Sequence, residues 1–440
     1  MHDIITILNL KTVDVQSFSC KVVGDSVSYY LTLKRKETIC NTCSSILKIK
    51  DYQLRSIHHQ VLILRNTKVV FRQRRYYCSV CHSTHLEHNP FSEPKSNLSH
   101  MTKINVMRYL KGQESTFSST SRHFHLPVTT VVNIFDELGH MNRLPMPTIL
   151  SIDEFYAIRK SKQKYACLLL DFSTGNVIDV LFGRSKKDWA SYTQLIPKHE
   201  LTNVKYICID MFETYRSIKK LYFPNAILCC DSFHVVSHVN KQLRQVRLQV
   251  MHRYIDTSIE YYLLKNFNWL LMMDSIKIYD NKAKYNHRLK QYINYPALLE
   301  MLIRIDSTLK EAYELKEAYL LFNQISTIDN AAEELAHIIE LYQTSSIASF
   351  RETASTLINW FEEIVNSFTI IDGKRVSNGK IESTNSRIKT ILKVANGYQN
   401  FSRLRNKIMY VINKEATITI HKEKINIKRP GKKRGSYKKN

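Results

Sequence analysis

The sequence predicts a multidomain α+β chain, and three features carry that prediction. Residues 1–98 alternate apolar and polar side chains as strands do and hold two C-x-x-C pairs. Residues 148–233 return to strand-like runs, two of which close on an aspartate. Residues 234–346 then keep apolar side chains at helical spacing, with no further strand expected. A chain of 440 residues exceeds one ordinary domain, and 44% hydrophobic content suffices for several cores.

Bulk chemistry narrows the function classes. Lys and Arg number 64 against 39 Asp and Glu, a formal charge of +25. The cations run through the whole length and are not confined to a tail, which speaks against a metabolic enzyme and for a binder of the phosphate backbone. No window approaches the ~20 apolar residues that cross a bilayer, and no signal peptide opens the chain. Nine cysteines, an odd number, point without a secretory signal to a reducing compartment. The expectation is a soluble, cytoplasmic protein with no membrane partner.

In residues 1–98, strands are expected around Lys21–Tyr30 and Lys68–Phe71. The pairs Cys40/Cys43 and Cys78/Cys81 each make a tight knuckle whose two thiolates reach one ion. Two knuckles complete a tetrahedral four-cysteine site for structural zinc, as in a zinc-ribbon-like β domain, with His82 and His85 as alternative ligands. Between the knuckles Arg65, Lys68, Arg72, Arg74, Arg75, Tyr76 and Tyr77 form a strip suited to phosphates and base faces, or an ordinary solvated strand. Residues 99–147 turn helical, with Ile104, Met107 and Leu110 at helix spacing. Phe117–Phe124, the turn His125-Leu126-Pro127 and Val128–Phe135 read as a helix-turn-helix. Its second helix offers Thr129, Thr130 and Asn133 to a major groove, although most short helix pairs only pack. Pro145 and Pro147 close the segment.

Within 148–233, the runs Ile149–Ile158, Tyr165–Phe172 and Val177–Phe182 predict three antiparallel strands, the first pair joined by a turn at Ser161-Lys162-Gln163. Helices at Lys186–Leu195 and Thr214–Tyr222 lead into Val204–Asp210 and Ala226–Asp231. The near-continuous apolar character of these last two runs predicts parallel strands covered on both faces, and sites form where such strands end. Residues 234–346 are expected to be an all-helical insertion. In its first helix His238, Lys241, Arg244 and Arg247 recur every three residues and face either DNA or solvent. A helix from Ser349 to Phe368, broken by Asp372-Gly373, and one carrying Glu382 in its first turn fill residues 347–415. Ser377 or Asn378 caps that last helix, and Lys389 and Lys393 extend the face of Glu382. Residues 416–440 form a basic tail expected to be disordered and to hold nucleic acid nonspecifically.

The chemistry centres on Ser151-Ile152-Asp153-Glu154-Phe155. A carboxylate in that apolar context is costly unless something cationic holds it. Asp210 and Glu382 are the candidate partners. Three acids drawn from distant segments repel one another unless a divalent cation sits between them. Two magnesium ions and DNA cleavage are the chemistry this favours. Glu154 falls on the opposite strand face from Asp153, while Asp231 and His234 lie close enough in sequence to assist.

Several motifs taken together resemble bacterial insertion-sequence transposases of the ISL-three family. They are Ile152-Asp153-Glu154-Phe155 with Arg159-Lys160, Asp210-Met211 with Tyr215, and Phe223-Pro224-Asn225-Ala226 leading to Asp231-Ser232-Phe233-His234. Ser377-Asn378-Gly379-Lys380-Ile381-Glu382 through Asn385, and Gly397-Tyr398 with Asn400-Phe401, belong with them. The resemblance implies a ribonuclease-H-like α/β catalytic core, interrupted by a helical insertion before the glutamate, and a DDE triad of Asp153, Asp210 and Glu382. It implies two Mg2+ ions, for which Mn2+ substitutes, about 3.5–4 Å apart with Asp153 bridging them. It also implies double-stranded DNA as partner, both inverted-repeat ends and target, and a homodimer or higher oligomer in the bacterial nucleoid. Ser383 departs from the pattern, where glycine commonly follows the glutamate. The rivals are a catalytically inactive DNA-binding regulator and a structure-selective nuclease, separated from a transposase by cleavage and by strand joining.

Overall fold

The computed structural model describes residues 5, 8, 10–60, 65–158 and 163–418. Arg159 and Lys160 of the first motif, Ser161-Lys162 of the adjoining turn and the tail from 419 onward lie outside the described residues. Among those described, no helix is long and apolar enough to cross a membrane. Two compact units emerge, one of residues up to Asn142 together with 414–418, the other Arg143–Asn413. The boundaries expected near residues 98 and 234 do not separate compact bodies.

The first unit opens with β1 (Val15–Val23), β2 (Ser26–Leu33), β3 (Lys48–His58), β4 (Asn66–Tyr77) and β5 (Thr84–Leu86). Their order is β1-β2-β4-β3 with β5 on β4, and only β2 and β4 run parallel. Alternation buries Val27, Tyr29 and Leu31 of β2 against Val69 and Phe71 of β4. The single strand read through Lys21–Tyr30 is instead a hairpin, because Gly24 adopts φ +55° and turns the chain between Val23 and Ser26. Next come α1 (His100–Leu110), α2 (Phe117–His123) and α3 (Val128–Leu138). Thr116 and Ser119 form a capping box at the start of α2, and His125 at φ +50° makes the turn into α3.

Arg74 is not part of a DNA-facing strip. It is 2% exposed, its Nη1 lies 2.6 Å from Glu87 Oε1, and Nη2 donates to Gln16 Oε1 at 2.8 Å and to the Leu33 carbonyl at 2.7 Å. Arg75 is tied to Asp51, Nε donating to Oδ1 at 2.8 Å. Arg72 is exposed and lies 4.1 Å over the Tyr52 ring. Sequence alternation could not separate Arg74 from Arg72, since a cation inside a sheet is retained only by partners distant in sequence. Truncating Arg74 to Ala leaves the half-buried Glu87 only the residue-74 N–H, on Oε2, and takes the donor from Gln16 Oε1 and the Leu33 carbonyl, so urea denaturation should show a loss of about 3 kcal/mol. Arg72→Ala should be nearly neutral in the same measurement.

The second unit contains β6 (Ile149–Tyr156), β7 (Tyr165–Asp171), β8 (Val177–Leu181), α4 (Lys186–Thr193), α5 (Lys198–Asn203), β9 (Tyr206–Ile209), α6 (Glu213–Tyr222) and β10 (Ile227–Cys230). The sheet order is β10-β9-β6-β7-β8. β6, β7 and β8 are antiparallel, while β9 and β10 run parallel to β6, as their apolar runs predict. Beyond it lie α7 (Ser232–Met251), α8 (Ile259–Asn266), α9 (Asn268–Met272), β11 (Lys284–Asn286), β12 (Gln291–Ile293), α10 (Tyr295–Ile303), α11 (Ser307–Ile325) and α12 (Ala331–Gln343). The chain returns through α13 (Ala348–Asn359), α14 (Phe361–Asn366), β13 (Ile370–Ile371), β14 (Lys374–Arg375), α15 (Gly379–Val394) and α16 (Phe401–Ile412).

Two expectations need correction here. The insertion is not all helical, because β11 and β12 pair as a hairpin, with Lys290 at φ +54° in its loop. Those strands are three residues each, too short for period-two alternation to register. The helix expected over Ser349–Phe368 breaks at Trp360, whose φ and ψ are −106° and 21°. Arg216 stacks 3.9 Å from the Trp360 ring centroid, and its Nε donates to Glu363 Oε1 at 2.7 Å. Asp372 and Gly373, at φ +52° and +72°, close the β13–β14 hairpin as left-handed turn residues do. The insertion has no separate core: one apolar cluster runs from Leu169 and Ile207 of the sheet through Val239 and Leu243 of α7 to Leu315 and Tyr342.

Candidate active site

Register builds the site. Ser151 pairs with Cys208, and Cys230 pairs with Ile209. Continuing those ladders puts Asp153, Asp210 and Asp231 in one row across β6, β9 and β10, on neighbouring strands about 4.8 Å apart. The fourth acid arrives from α15. The Asn378 N–H donates to Asp231 Oδ1 at 3.1 Å, seating the helix start on the row, and Glu382 follows one turn later. Asn385, a further turn on, donates from Nδ2 to Asp153 Oδ2 at 2.6 Å. The cap expectation therefore resolves to Asn378, which acts through its backbone N–H on another residue's carboxylate. Ser383 sits exposed in regular helix without a positive φ, so nothing there requires glycine.

Burial and like charge set the electrostatics. Desolvation pushes the Asp153 carboxyl above its ordinary range, with Asp210 and Asp231 adding to the rise and His234 opposing it. Burial likewise raises Asp231, which is 1% exposed. It raises Glu382 too, and Asp231 and Asp153 push it further. His234 bridges the row: Nδ1 stands 3.5 Å from Asp210 Oδ1 and Nε2 3.7 Å from Asp231 Oδ2. Asp231 Oδ2 and Glu382 Oε1 are buried without a hydrogen-bond partner. Orphaned carboxylate oxygens beside mutually repelling acids are the donor chemistry that a hard divalent cation takes, so these residues fit such an ion. The carboxylates stand further apart than a closed cage; among the described residues only a thiol set has its ligand atoms all within 4.8 Å.

Glu154 points the other way, as expected. Its Oε1 accepts from the Tyr215 hydroxyl at 2.9 Å, and Oε2 pairs with Arg184. A cleft of about 600 Å³ beside Asp210 and His234 is lined also by His238, Lys241 and Arg244 of α7. Arg247 is not in it. It is 8% exposed, and its Nη1 donates to the Leu264 carbonyl at 3.2 Å. Nine helical residues advance the azimuth by about 180° modulo full turns, so a stripe read every three residues has crossed the helix by Arg247. Lys389 and Lys393 are exposed on α15. Asn385 received no role from the sequence, and Asn378 only that of a helix cap. Their spacing around Glu382, four residues before and three after, was the available signal.

In the first unit the thiols converge. Cys40 and Cys81 Sγ are 3.4 Å apart, as are Cys43 and Cys78. Each knuckle closes alike: Cys40 N–H donates to the Ser45 carbonyl and Cys78 N–H to that of Ser83. Ser44 and His82 take positive φ, 55° and 58°. The Ser83 hydroxyl foremost brings the Cys40 pKa down to about 4 and the Cys81 N–H foremost brings that of Cys78 to about 7, while Cys40 and Cys78 hold the Cys81 thiol above its ordinary range. His82 faces away to the Tyr77 hydroxyl. His85 Nε2 lies 2.7 Å from Ser83 Oγ and 3.4 Å from Cys40 Sγ, beside a thiol set that is complete without it. On α3, Thr129 and Asn133 are exposed and Thr130 half-buried, opposite the buried Val131, Ile134 and Phe135.

A family model of ISL3-type DDE proteins, described as transposase, matches residues 150–408. The transposase for insertion sequence element IS1001 of Bordetella parapertussis is 21% identical over 390 residues, covering 86% of this chain and 89% of that protein.

Proposed function

This chain belongs to the ISL3 family of transposases, and from that membership we propose that it binds the inverted-repeat ends of an insertion sequence, cleaves there and joins the 3′-OH ends to target DNA. The observation that carries the proposal is the gathering of Asp153, Asp210 and Glu382 from three distant segments, with a buried glutamate oxygen left without a hydrogen bond. The sheet order, with Asp153 within β6 and Asp210 and Asp231 just past the ends of β9 and β10, supports a ribonuclease-H-like core. Asp153, Asp210 and Glu382 would hold Mg2+, or Mn2+ in its place, which when bound supplies charge neutralisation at the phosphate and acidifies the attacking hydroxyl.

The chain's own residues do the rest. Asn385 fixes the Asp153 carboxylate, and Asp231 holds the start of α15 and so the position of Glu382. His234 orients the Asp210 and Asp231 carboxylates. Lys241 and Arg244 offer cations to phosphates beside the acids, with Lys389 and Lys393 extending that surface. Structural zinc on Cys40, Cys43, Cys78 and Cys81, and α3 with Thr129, Thr130 and Asn133, recognise the ends. Two or more copies assemble with both ends in the nucleoid. Incubation of full-length protein with end-bearing duplex, target DNA and Mg2+ should yield cleaved ends and joined products on a sequencing gel. Specific footprints with no cleavage would make the chain a regulator, and hydrolysis without joining a nuclease; either result ends the proposal.

A further inference from the structure

The β11–β12 hairpin has no part in the cleavage site, yet its surface is unusual. Ile276, Tyr279, Tyr285 and Tyr292 are 73%, 64%, 45% and 74% exposed. Tyr285 and Tyr292 are cross-strand partners on one face, rings 5.2 Å apart at 61°, with the His287 ring 5.1 Å from Tyr285. The other side is anchored: Asn286 Nδ2 donates to the Tyr262 hydroxyl at 3.1 Å, Arg288 binds the Thr257 carbonyl and Ile293 is buried. Between residues 276 and 292 stand Lys277, Lys282, Lys284, Arg288 and Lys290 against a single acid, Asp280. Asp280 already accepts from Asn294 Nδ2 at 2.6 Å. Lys282, Lys284 and Lys290 project into solvent.

A fixed surface joining exposed tyrosines to unopposed lysines matches the phosphate and sugar edge of DNA. Location points the same way. Met272, which ends α9, lines the cleft beside Asp210. Trp269 of the same α9 packs its ring 5.0 Å from that of Tyr295, and Tyr292 precedes Tyr295 by three residues, at most about 11 Å along an extended chain. One turn of duplex spans about 34 Å. DNA whose backbone lies at the acid row therefore runs within reach of the hairpin.

We propose that the β11–β12 hairpin is a second DNA contact in the catalytic unit, gripping the duplex within about one turn of the phosphate being cut. The assignment rests on the DNA-cleaving reading of the acid row. Two full-length variants test it, Lys282→Gln/Lys284→Gln/Lys290→Gln and Tyr285→Ala/Tyr292→Ala, each checked for an unchanged melting temperature. End-DNA binding without divalent cation should lose up to about 3 from the slope of log K against log salt in the lysine variant, about 0.9 per phosphate contact. The tyrosine variant should lose hydroxyl-radical protection within a turn of the cleavage position while keeping the slope. Because a variant can misfold, the unsubstituted chain is also crosslinked to duplex carrying photoreactive phosphates, and peptide 279–292 should be captured. Unchanged slope and footprint, or crosslinks that spare this peptide, overturn the hairpin contact and leave the transposase reading standing. Failure of the unsubstituted chain to bind end DNA at all overturns both.

Discussion

Asp153→Asn is expected to lower end cleavage at least about a thousandfold, equivalent to roughly 4 kcal/mol of transition-state stabilisation, while leaving end binding intact. Asp153 occupies the middle of the sheet, adjacent in register to Asp210 and within the field of Glu382. Asparagine keeps the shape and can still accept from Asn385, but it removes a charge that a divalent cation needs. The stability readout runs opposite to activity. Burial first, then neighbouring acids, holds Asp153 above the ordinary carboxylate range. A raised folded pKa means that the metal-free protein gains stability below the unfolded carboxylate pKa and loses it as pH rises through the folded value. Near pH 7 the variant should therefore melt no lower than the parent without metal. Added Mn2+ should raise the parent's melting temperature by several degrees, as binding to the native state does, and the variant's far less. A calorimetric scan series with equal Mn2+ shifts in both proteins would remove Asp153 from the cation site.

The second large effect belongs to the thiol set. Cys78→Ser, or a strong chelator, should release about one zinc per chain by elemental analysis and open the β4–β5 end of the first unit to protease. Specific end binding should be lost with it. Cys78 is wholly buried among Cys40, Leu47 and Tyr76, a cluster of few apolar residues. So small a core holds two knuckles only with added binding energy, and zinc in comparable sites contributes about 10–16 kcal/mol. The second unit has its own core and should keep its melting transition. Parent protein that carries no zinc and resists protease after chelation would show the thiols to be packing alone.

Much of this was legible from residue order. Apolar runs between turn sequences predicted β6 to β8 as antiparallel, near-continuous apolar character predicted β9 and β10 as parallel, and the C-x-x-C spacing predicted the thiol quartet. Glu154 was assigned correctly to the far strand face because alternation is a local rule. Arg74 and Arg247 were misassigned for one shared reason. Charge predicts exposure only until a buried carboxylate or carbonyl supplies a partner, and those partners, Glu87 and Leu264, come from other elements. The hairpin at 284–293 escaped because two three-residue strands carry too little pattern to see.

Side-chain chemistry and short-range periodicity already specify the strands of the central sheet, the basic character and the identity of the acids. That three aspartates share one row, that Asn378 docks on Asp231 and that Asn385 holds Asp153 emerges from the folded chain alone. Those relations depend on sheet order and on how α15 packs against it. The contacts that set them reach across 147 positions from Asp231 to Asn378 and 232 from Asp153 to Asn385, separations over which local periodicity carries no information.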